Sequence, residues 1–314
     1  MNTSHCPLCH SLRYSVPEAY RSIGLPKYGC SLVRCQHCGH FFTRIEGAAS
    51  IRDLYEEEHY ELVDTRKSLF GRVISFDVKS ILRYLERIKP VGGRAAMLDF
   101  GCGKGVFLHH AAQRGWRATG IETASKRAAF ARTKYGVDVI TDEYRGGSIP
   151  GGPFDVITLF HVLEHLPNPT ELLKQLLDQN LRAGGLLVFE VPRFDSLQSA
   201  VAGRAWIHLD PPRHLSHFTT GRLSRMLSDL GLRVVGSGQF SIHNGLLGMV
   251  QSILSRLGYR KMLIEELKLR RTVAVLLLVL AVMPVAIMLE LFAVLFMRGG
   301  VVRYYCSRQS DKSD

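Results

Sequence analysis

A chain of 314 residues that is 46% hydrophobic can bury one substantial core and still carry an appended module, so one main domain with extras is expected. The formal net charge of +12 points to a polyanionic or anionic-surface partner, with nucleic acid and the inner leaflet of a membrane both fitting. The opening MNTSHCPLCH has no basic segment followed by an apolar run, so no secretory signal is read there. The seven cysteines are then expected as thiols or metal ligands rather than a disulfide frame.

Two C-x-x-C pairs, Cys6/Cys9 and Cys35/Cys38, come first. Each turn points two thiolates at one tetrahedral metal, and a second turn alongside closes the sphere. A segment this short has little core, so zinc would supply its folding energy, and a structural zinc ribbon ligated by Cys6, Cys9, Cys35 and Cys38 is expected. His5, His10, His37 and His40 are near enough to substitute, and Cys30 reads as an ordinary strand residue.

The run RVISFDVKSILRYLERI, 72–88, carries apolar residues at helical spacing and ends at KPVGG. Strands and helices then alternate: AAMLDF strand, GVFLHHAAQRG helix, WRATGIE strand, ASKRAAFARTKYG helix, VDVIT strand. FDVITLF and LLVFEV are short unbroken apolar runs, as strands buried on both faces are, with the helix TELLKQLLDQNLRAGG between them. GRLSRMLSDLG and LRVVGSGQFS add a helix and a sixth strand. This order predicts an α/β fold with a doubly wound, mostly parallel sheet. The segment TVAVLLLVLAVMPVAIMLELFAVLFM, 272–297, breaks the pattern. Glu290 is its single charge, and its length meets the rule for a membrane span.

The stretch MLDFGCGKGVFL, 97–108, runs a strand into an acid, three closely spaced glycines and a helix. Lys104 is followed by Gly105, not by the Ser or Thr of a phosphate-cradling loop. Gly101, Gly103 and Gly105 give G-x-G-x-G rather than the dinucleotide G-x-G-x-x-G. Asp99 precedes the loop and Glu122 ends the second strand, where a carboxylate can grip two ribose hydroxyls. A ligand with a ribose, a cationic or zwitterionic end and no phosphate fits; S-adenosylmethionine is such a ligand.

With LDFGCGKG, GIE, FDVITLFHVLEHLPNP and GGLLVFEVP in this order over about 150 residues, the chain resembles the class I S-adenosylmethionine-dependent methyltransferases. Within them it is most similar to a bacterial subgroup, like methyltransferase domain family 23, with an N-terminal zinc ribbon, an LY…HY segment and a PPRHLSHFT loop. The resemblance implies that Asp99, Gly101, Gly103 and Gly105 line the methionine end of the cofactor and Glu122 its ribose. Asp142 would lie near the adenine, with Glu143 equally placed. It also implies a Rossmann-like seven-stranded sheet whose last strand, VVRYYCSR, with Val302, Tyr304 and Cys306 on one face, pairs beside the sixth. The expected division is a zinc ribbon over 1–45, a helical linker over 46–90 and a methyltransferase core over 91–241. A membrane-associating hydrophobic insertion over 242–298 and the final core strand over 299–309 complete it.

Methyl transfer to a hydroxyl needs an aligned acceptor and a base, a task that suits histidine. Two His-rich stretches follow strands: HVLEH, with His161, Glu164 and His165, and WIHLDPPRHLSHFT, with His208, Asp210, Arg213, His214 and His217. H-x-x-E-H alone matches an inverted zinc-protease motif, but it follows a buried strand and LPNP stops it before a metal-binding helix can form. His214 is expected as the base, His161 as a second catalytic group, and Arg213 as a hold on an anionic or hydroxyl-rich acceptor. The bland alternative is that these histidines simply close the cofactor pocket.

A single membrane crossing by 272–297 and pairing of VVRYYCSR with the sheet exclude each other. Arg270, Arg271, Arg298 and Arg303 flank the segment, and Pro284 divides it into halves too short to span. A re-entrant or interfacial helical pair on the cytoplasmic face of an anionic membrane is therefore expected, preceded by the amphipathic LLGMVQSILSRLGYRKMLIEELKLRR. A single span and a buried soluble helix are the alternatives. The expected activity is methylation of a hydroxyl on a lipid-linked glycan, polysaccharide precursor or isoprenoid acceptor, the resemblance suggesting glycans. RNA methylation is the alternative that the basic charge and the ribbon suit. The intact Asp99, glycines and Glu122 disfavour a noncatalytic scaffold.

Overall fold

The computed structural model describes residues 4–21, 23, 29–45, 64, 66, 68–89, 95–259, 261, 263, 266–267 and 273–308. Most of the linker expected over 46–90 up to residue 67, with its LYEEEHY stretch, and the arginines 270 and 271 lie outside these residues.

The cysteine-rich module forms β1 (Tyr14–Ser15), β2 (Cys30–Cys35) and β3 (Phe41–Ile45), paired antiparallel in that order. α1 (Leu69–Ile88) follows, capped by the Ser68 side chain, which accepts from the Gly71 N–H. Next come β4 (Ala96–Phe100), α2 (Val106–Ala112), β5 (Arg117–Ile121), α3 (Ser125–Phe130) and β6 (Asp138–Ile140). The chain continues through β7 (Phe154–Phe160), α4 (Pro169–Asn180), β8 (Leu181–Pro192), α5 (Leu197–Ala202), β9 (Ser216–His217) and α6 (Thr220–Asp229). It ends with β10 (Leu232–Gly238), α7 (Leu247–Arg256), α8 (Val273–Leu295) and β11 (Val301–Arg308).

The main sheet runs β10-β11-β8-β7-β4-β5-β6, parallel from β8 to β6, with β11 antiparallel to both of its neighbours. The expected seventh strand thus enters between β8 and β10, although α7 and α8 lie between it and β10 in the chain. Alternation along the strands divides the core into two layers. Leu98, Ile157, Phe189 and Val302 pack on one face with Leu173 and Leu223, while Met97, Val156, Val188 and Tyr305 pack on the other with Leu82 and Leu85 of α1.

Two boundaries differ from the sequence reading. The helix expected over ASKRAAFARTKYG is α3 followed by a wider turn over Ala131–Tyr135, closed by Gly136 at φ +65°. β8 starts at Leu181, five residues before its apolar run, because exposed Arg182, Ala183 and Gly184 carry no hydrophobic signature.

The apolar segment departs most. It is one continuous helix with Pro284 inside, not a helical pair. A reversal there would leave several backbone groups unpaired on an apolar surface, whereas continuing forgoes only the hydrogen bond that proline cannot donate. β11 pairs with β8 from Val301 to Ser307, the pairing that the sequence reading sets against a single crossing. The outer side of the helix is not buried within the chain: Leu277, Leu280, Leu291 and Leu295 are 61%, 66%, 56% and 77% exposed.

Candidate active site

The glycine loop sits at the carboxyl ends of β4 and β5. The Gly101 and Cys102 N–H groups both donate to the Ile121 carbonyl, at 2.8 and 2.9 Å, folding the loop back over β5. Gly101 has φ +75°, and a Cβ there would lie 2.5 Å from Val162 Cγ2; Gly105, at φ +78°, would meet Ala131 Cβ at 2.8 Å. These two glycines let the loop pass under the β7 turn and against the chain after α3. Glu122 accepts from the Gly103 N–H at 2.9 Å and the Ala124 N–H at 2.8 Å, so its carboxylate is fixed at the rim of the loop. Asp99 lies beneath it, buried, and accepts from Thr158 Oγ1 at 2.7 Å, a contact set by their direct register across β4 and β7. Burial raises the Asp99 carboxyl to about 7, the Thr158 bond holding it back and the Glu122 charge adding to the rise. Asp142 is exposed, its Oδ1 accepting from the Glu143 N–H at 2.8 Å.

His161, at φ +55°, opens the loop after β7 and lies between two acids. Its Nδ1 is 3.2 Å from Glu164 Oε1, its Nε2 is 3.0 Å from Glu190 Oε1, and the Asn244 carboxamide lies 2.7 Å from Nε2. Burial opposes charge on the imidazole, but the two carboxylates outweigh it and raise His161 to about 10. Burial also opposes ionisation of Glu164, which the His161 contact nonetheless holds at about 2. Glu190 stays well below the carboxylate range, again against burial, through Arg303 and then His161. Arg303 faces Glu190 directly across β8 and β11.

His214 differs. It is buried, and its Nδ1 donates to the His208 carbonyl at 2.8 Å, so the tautomer this contact selects in the neutral ring leaves Nε2 as the acceptor nitrogen. Asp210 Oδ2 is 3.9 Å from Nε2, and the His165 ring packs edge-on at 4.6 Å. Burial and then the His214 charge push His165 down to about 4, and burial and then His161 push His208 to about 3. Glu164, His165 and His214 bring one donor atom each to within 4.8 Å of one another. Arg213 is held by Asp210 in a two-point contact at 2.9 and 2.5 Å.

The cysteine module reaches this loop. β9 adds to its sheet through Phe41↔His217 and Phe42↔Ser216, and Arg222 donates to the Cys38 carbonyl. The four thiol sulfurs of Cys6, Cys9, Cys35 and Cys38 lie within 4.8 Å of one another, and the Cys6–Cys38 and Cys9–Cys35 separations are both 3.6 Å. The edge of a Zn–S4 tetrahedron is about 3.8 Å for Zn–S bonds of about 2.3 Å. The cluster therefore fits a structural zinc without help from the neighbouring histidines.

A family model described as a methyltransferase domain matches residues 72–237 of the 314. The chain belongs to this methyltransferase family. Similar curated proteins include the ubiquinone biosynthesis O-methyltransferase of Xanthomonas axonopodis pv. citri, 27% identical over 159 residues, covering 47% of this chain and 66% of that protein. The Pseudomonas aeruginosa protein of the same name is 39% identical over 85 residues, covering 25% of this chain and 36% of its own length. The chain thus spans less than two thirds of these relatives. Phosphoethanolamine N-methyltransferase 2 of Haemonchus contortus, in complex with S-adenosyl-L-methionine, matches with a TM-score of 0.52 at 13% identity, over 86% of this chain and 63% of that one. That likeness shows a shared fold. The glycine loop with its two fixed carboxyl groups fits S-adenosylmethionine as the cofactor.

Sequence reasoning passed over several residues of the site. Thr158, Glu190 and Arg303 are polar side chains inside strands buried on both faces, a signal visible in FDVITLF, LLVFEV and VVRYYCSR. Asp77 of α1 was equally missed; it receives His243 Nδ1 at 2.9 Å, the Ile242 N–H at 3.0 Å and the Ser241 hydroxyl at 3.1 Å. It thereby fixes the turn that carries Asn244.

Proposed function

We propose that the methyltransferase methylates a hydroxyl group on a lipid-linked glycan, a polysaccharide precursor or an isoprenoid acceptor, working beside a membrane. S-adenosylmethionine supplies the activated methyl group. Asp99, Gly101, Gly103 and Gly105 hold its methionine end, Glu122 the ribose and Asp142 the adenine edge. His214 takes the acceptor's proton at Nε2 as the oxygen attacks, and His161 acts as a charged positioning group held by Glu164 and Glu190.

One observation carries the lipid side of this reading. The turn Ile242–Leu246 touches both the site and the apolar helix: Asn244 meets His161, and the next residue, Gly245, accepts from Gln198 Nε2 at 2.6 Å. Gln198 Nε2 also reaches Glu290 of α8 at 3.1 Å. The turn beside His161 is thereby tied to the helix that carries the bare apolar face. The relatives named for O-methylation in ubiquinone biosynthesis support oxygen as the methylated atom. Methyl-labelled cofactor incubated with fractionated lipid, glycan and RNA pools tests the reading. Label in the lipid or glycan pool is expected, and label confined to RNA overturns it.

A further inference from the structure

We infer that α8 lies in the plane of one leaflet of an anionic lipid bilayer, inserting its outer face while its inner stripe stays docked on the protein. This deepens the membrane-side reading above, but its test needs no acceptor and no turnover. α8 is 23 residues long, about 34 Å at 1.5 Å per residue. Its buried residues Val275, Val279, Val282, Ala286, Glu290 and Ala293 recur at helical spacing and form one stripe. The upper part of that stripe packs on Met249, Val250 and Leu254 of α7. Glu290, the one ionisable residue of the helix, is buried in the same stripe against Gln198, and burial raises its carboxyl above the usual range.

The remaining surface has no polar side chain. Val273, Leu280, Met288, Leu291 and Leu295 are 71%, 66%, 62%, 56% and 77% exposed. With Leu276 at one edge and Leu278 at the other, the bare apolar arc covers about 200° of the circumference at about 100° per residue. A helix packed on a second copy of the chain would cover a narrow strip, whereas an arc this broad suits a fluid hydrocarbon medium.

The ends of the helix fix how it meets that medium. Leu197 N–H donates to the Arg298 carbonyl at 3.0 Å, Arg193 N–H to the Gly300 carbonyl at 3.0 Å, and the Arg193 side chain to the Met297 carbonyl. β11 then enters the middle of the sheet. With α7 packed against Val275 and Val279 near the start of α8 and β11 entering the sheet after its end, the folded protein lies on one side of the bilayer and the helix is embedded along its length. Exposed Arg298 follows its C-terminal end and exposed Arg256 closes α7, cations that anionic headgroups can meet.

The experiment is flotation of the purified full chain with vesicles of phosphatidylcholine, with and without phosphatidylglycerol. The wild type is expected to float with both and more strongly with the anionic mixture. The variant Leu280→Glu/Leu291→Glu is expected to float at least about tenfold less while binding S-adenosylmethionine as the wild type does, which shows that its core is folded. A second variant, Leu291→Trp, is expected to be quenched by brominated lipid. Wild-type protein that stays at the bottom with both mixtures overturns the inference. So does a stable dimer in detergent-free buffer that the double glutamate variant disperses, or protease access placing the two flanks of α8 on opposite sides of sealed vesicles.

Discussion

Thr43 of the cysteine module donates its hydroxyl to the backbone carbonyl of His214 at 2.6 Å, across 171 residues of chain. The same oxygen lies 2.9 Å from His217 Nε2, and the Thr43 N–H donates to the Leu215 carbonyl at 2.9 Å. The module thus templates the loop that carries the proposed base. Thr43→Val keeps the shape of the side chain and leaves the buried His214 carbonyl and His217 without that hydroxyl, at a cost of about 1–3 kcal/mol. A lower Tm and a lower kcat are expected with an unchanged Kd for S-adenosylmethionine, read by calorimetry and labelled methyl transfer.

Metal removal should act through the same contact. Metal analysis of the purified protein is expected to give about one zinc per chain. Chelation or Cys35→Ser should loosen β3 and β9 together and abolish turnover while cofactor binding survives, because the glycine loop lies in the other sheet. Two zinc ions per chain would place the second at Glu164, His165 and His214 and take His214 out of the base role.

His161→Gln leaves Glu164 and Glu190 buried with the cation between them gone. A loss of about 3–5 kcal/mol is expected near neutral pH, as for breaking a buried ion pair. Because the folded-state pKa of His161 is raised to about 10, its contribution is complete below the unfolded value near 6.5 and is lost as pH rises through about 10. Denaturant midpoints of the two proteins should therefore converge in alkali; a gap that is constant with pH counts against the ion pair.

Asp99 gives cofactor binding its own pH dependence. Its carboxyl is raised to about 7, so it carries a proton in the free protein over much of the range below that, and a cationic ligand beside it favours the ionised form. Binding should release protons, and affinity should rise as pH increases through about 7. Calorimetry in two buffers of different ionisation enthalpy measures this directly, and Asp99→Asn should abolish the proton release.

Gly101→Ala places a methyl group 2.5 Å from Val162 Cγ2 on a backbone at φ +75°. The loop must shift to accept it, so cofactor affinity is expected to fall at least about tenfold, with little change in Tm because the loop lies at the edge of the core. Gly103→Ala, where no atom lies within 4 Å of the added carbon, separates backbone strain from crowding.

Much of this was legible in the chain itself. Unbroken apolar runs such as FDVITLF specify strands buried on both faces, the spacing of Asp99, Gly101, Gly103, Gly105 and Glu122 specifies the ligand loop, and the paired C-x-x-C turns specify four converging sulfurs. These signals are local, carried by periodicity, turn chemistry and short spacings. Which residues become partners is a non-local matter. Glu190 meets Arg303 only because β11 enters beside β8, and β9, two residues long, has no pattern to announce its place on the cysteine module. The apolar run of α8 likewise gave its length and composition but not its docked stripe: Glu290 is tolerable there only where Gln198, 92 residues earlier, donates to it in an environment that water does not reach. Sequence wrote the elements and the cofactor loop; packing alone assigned the charges their partners, because burial makes an unpaired charge costly and only the folded chain determines what lies next to it.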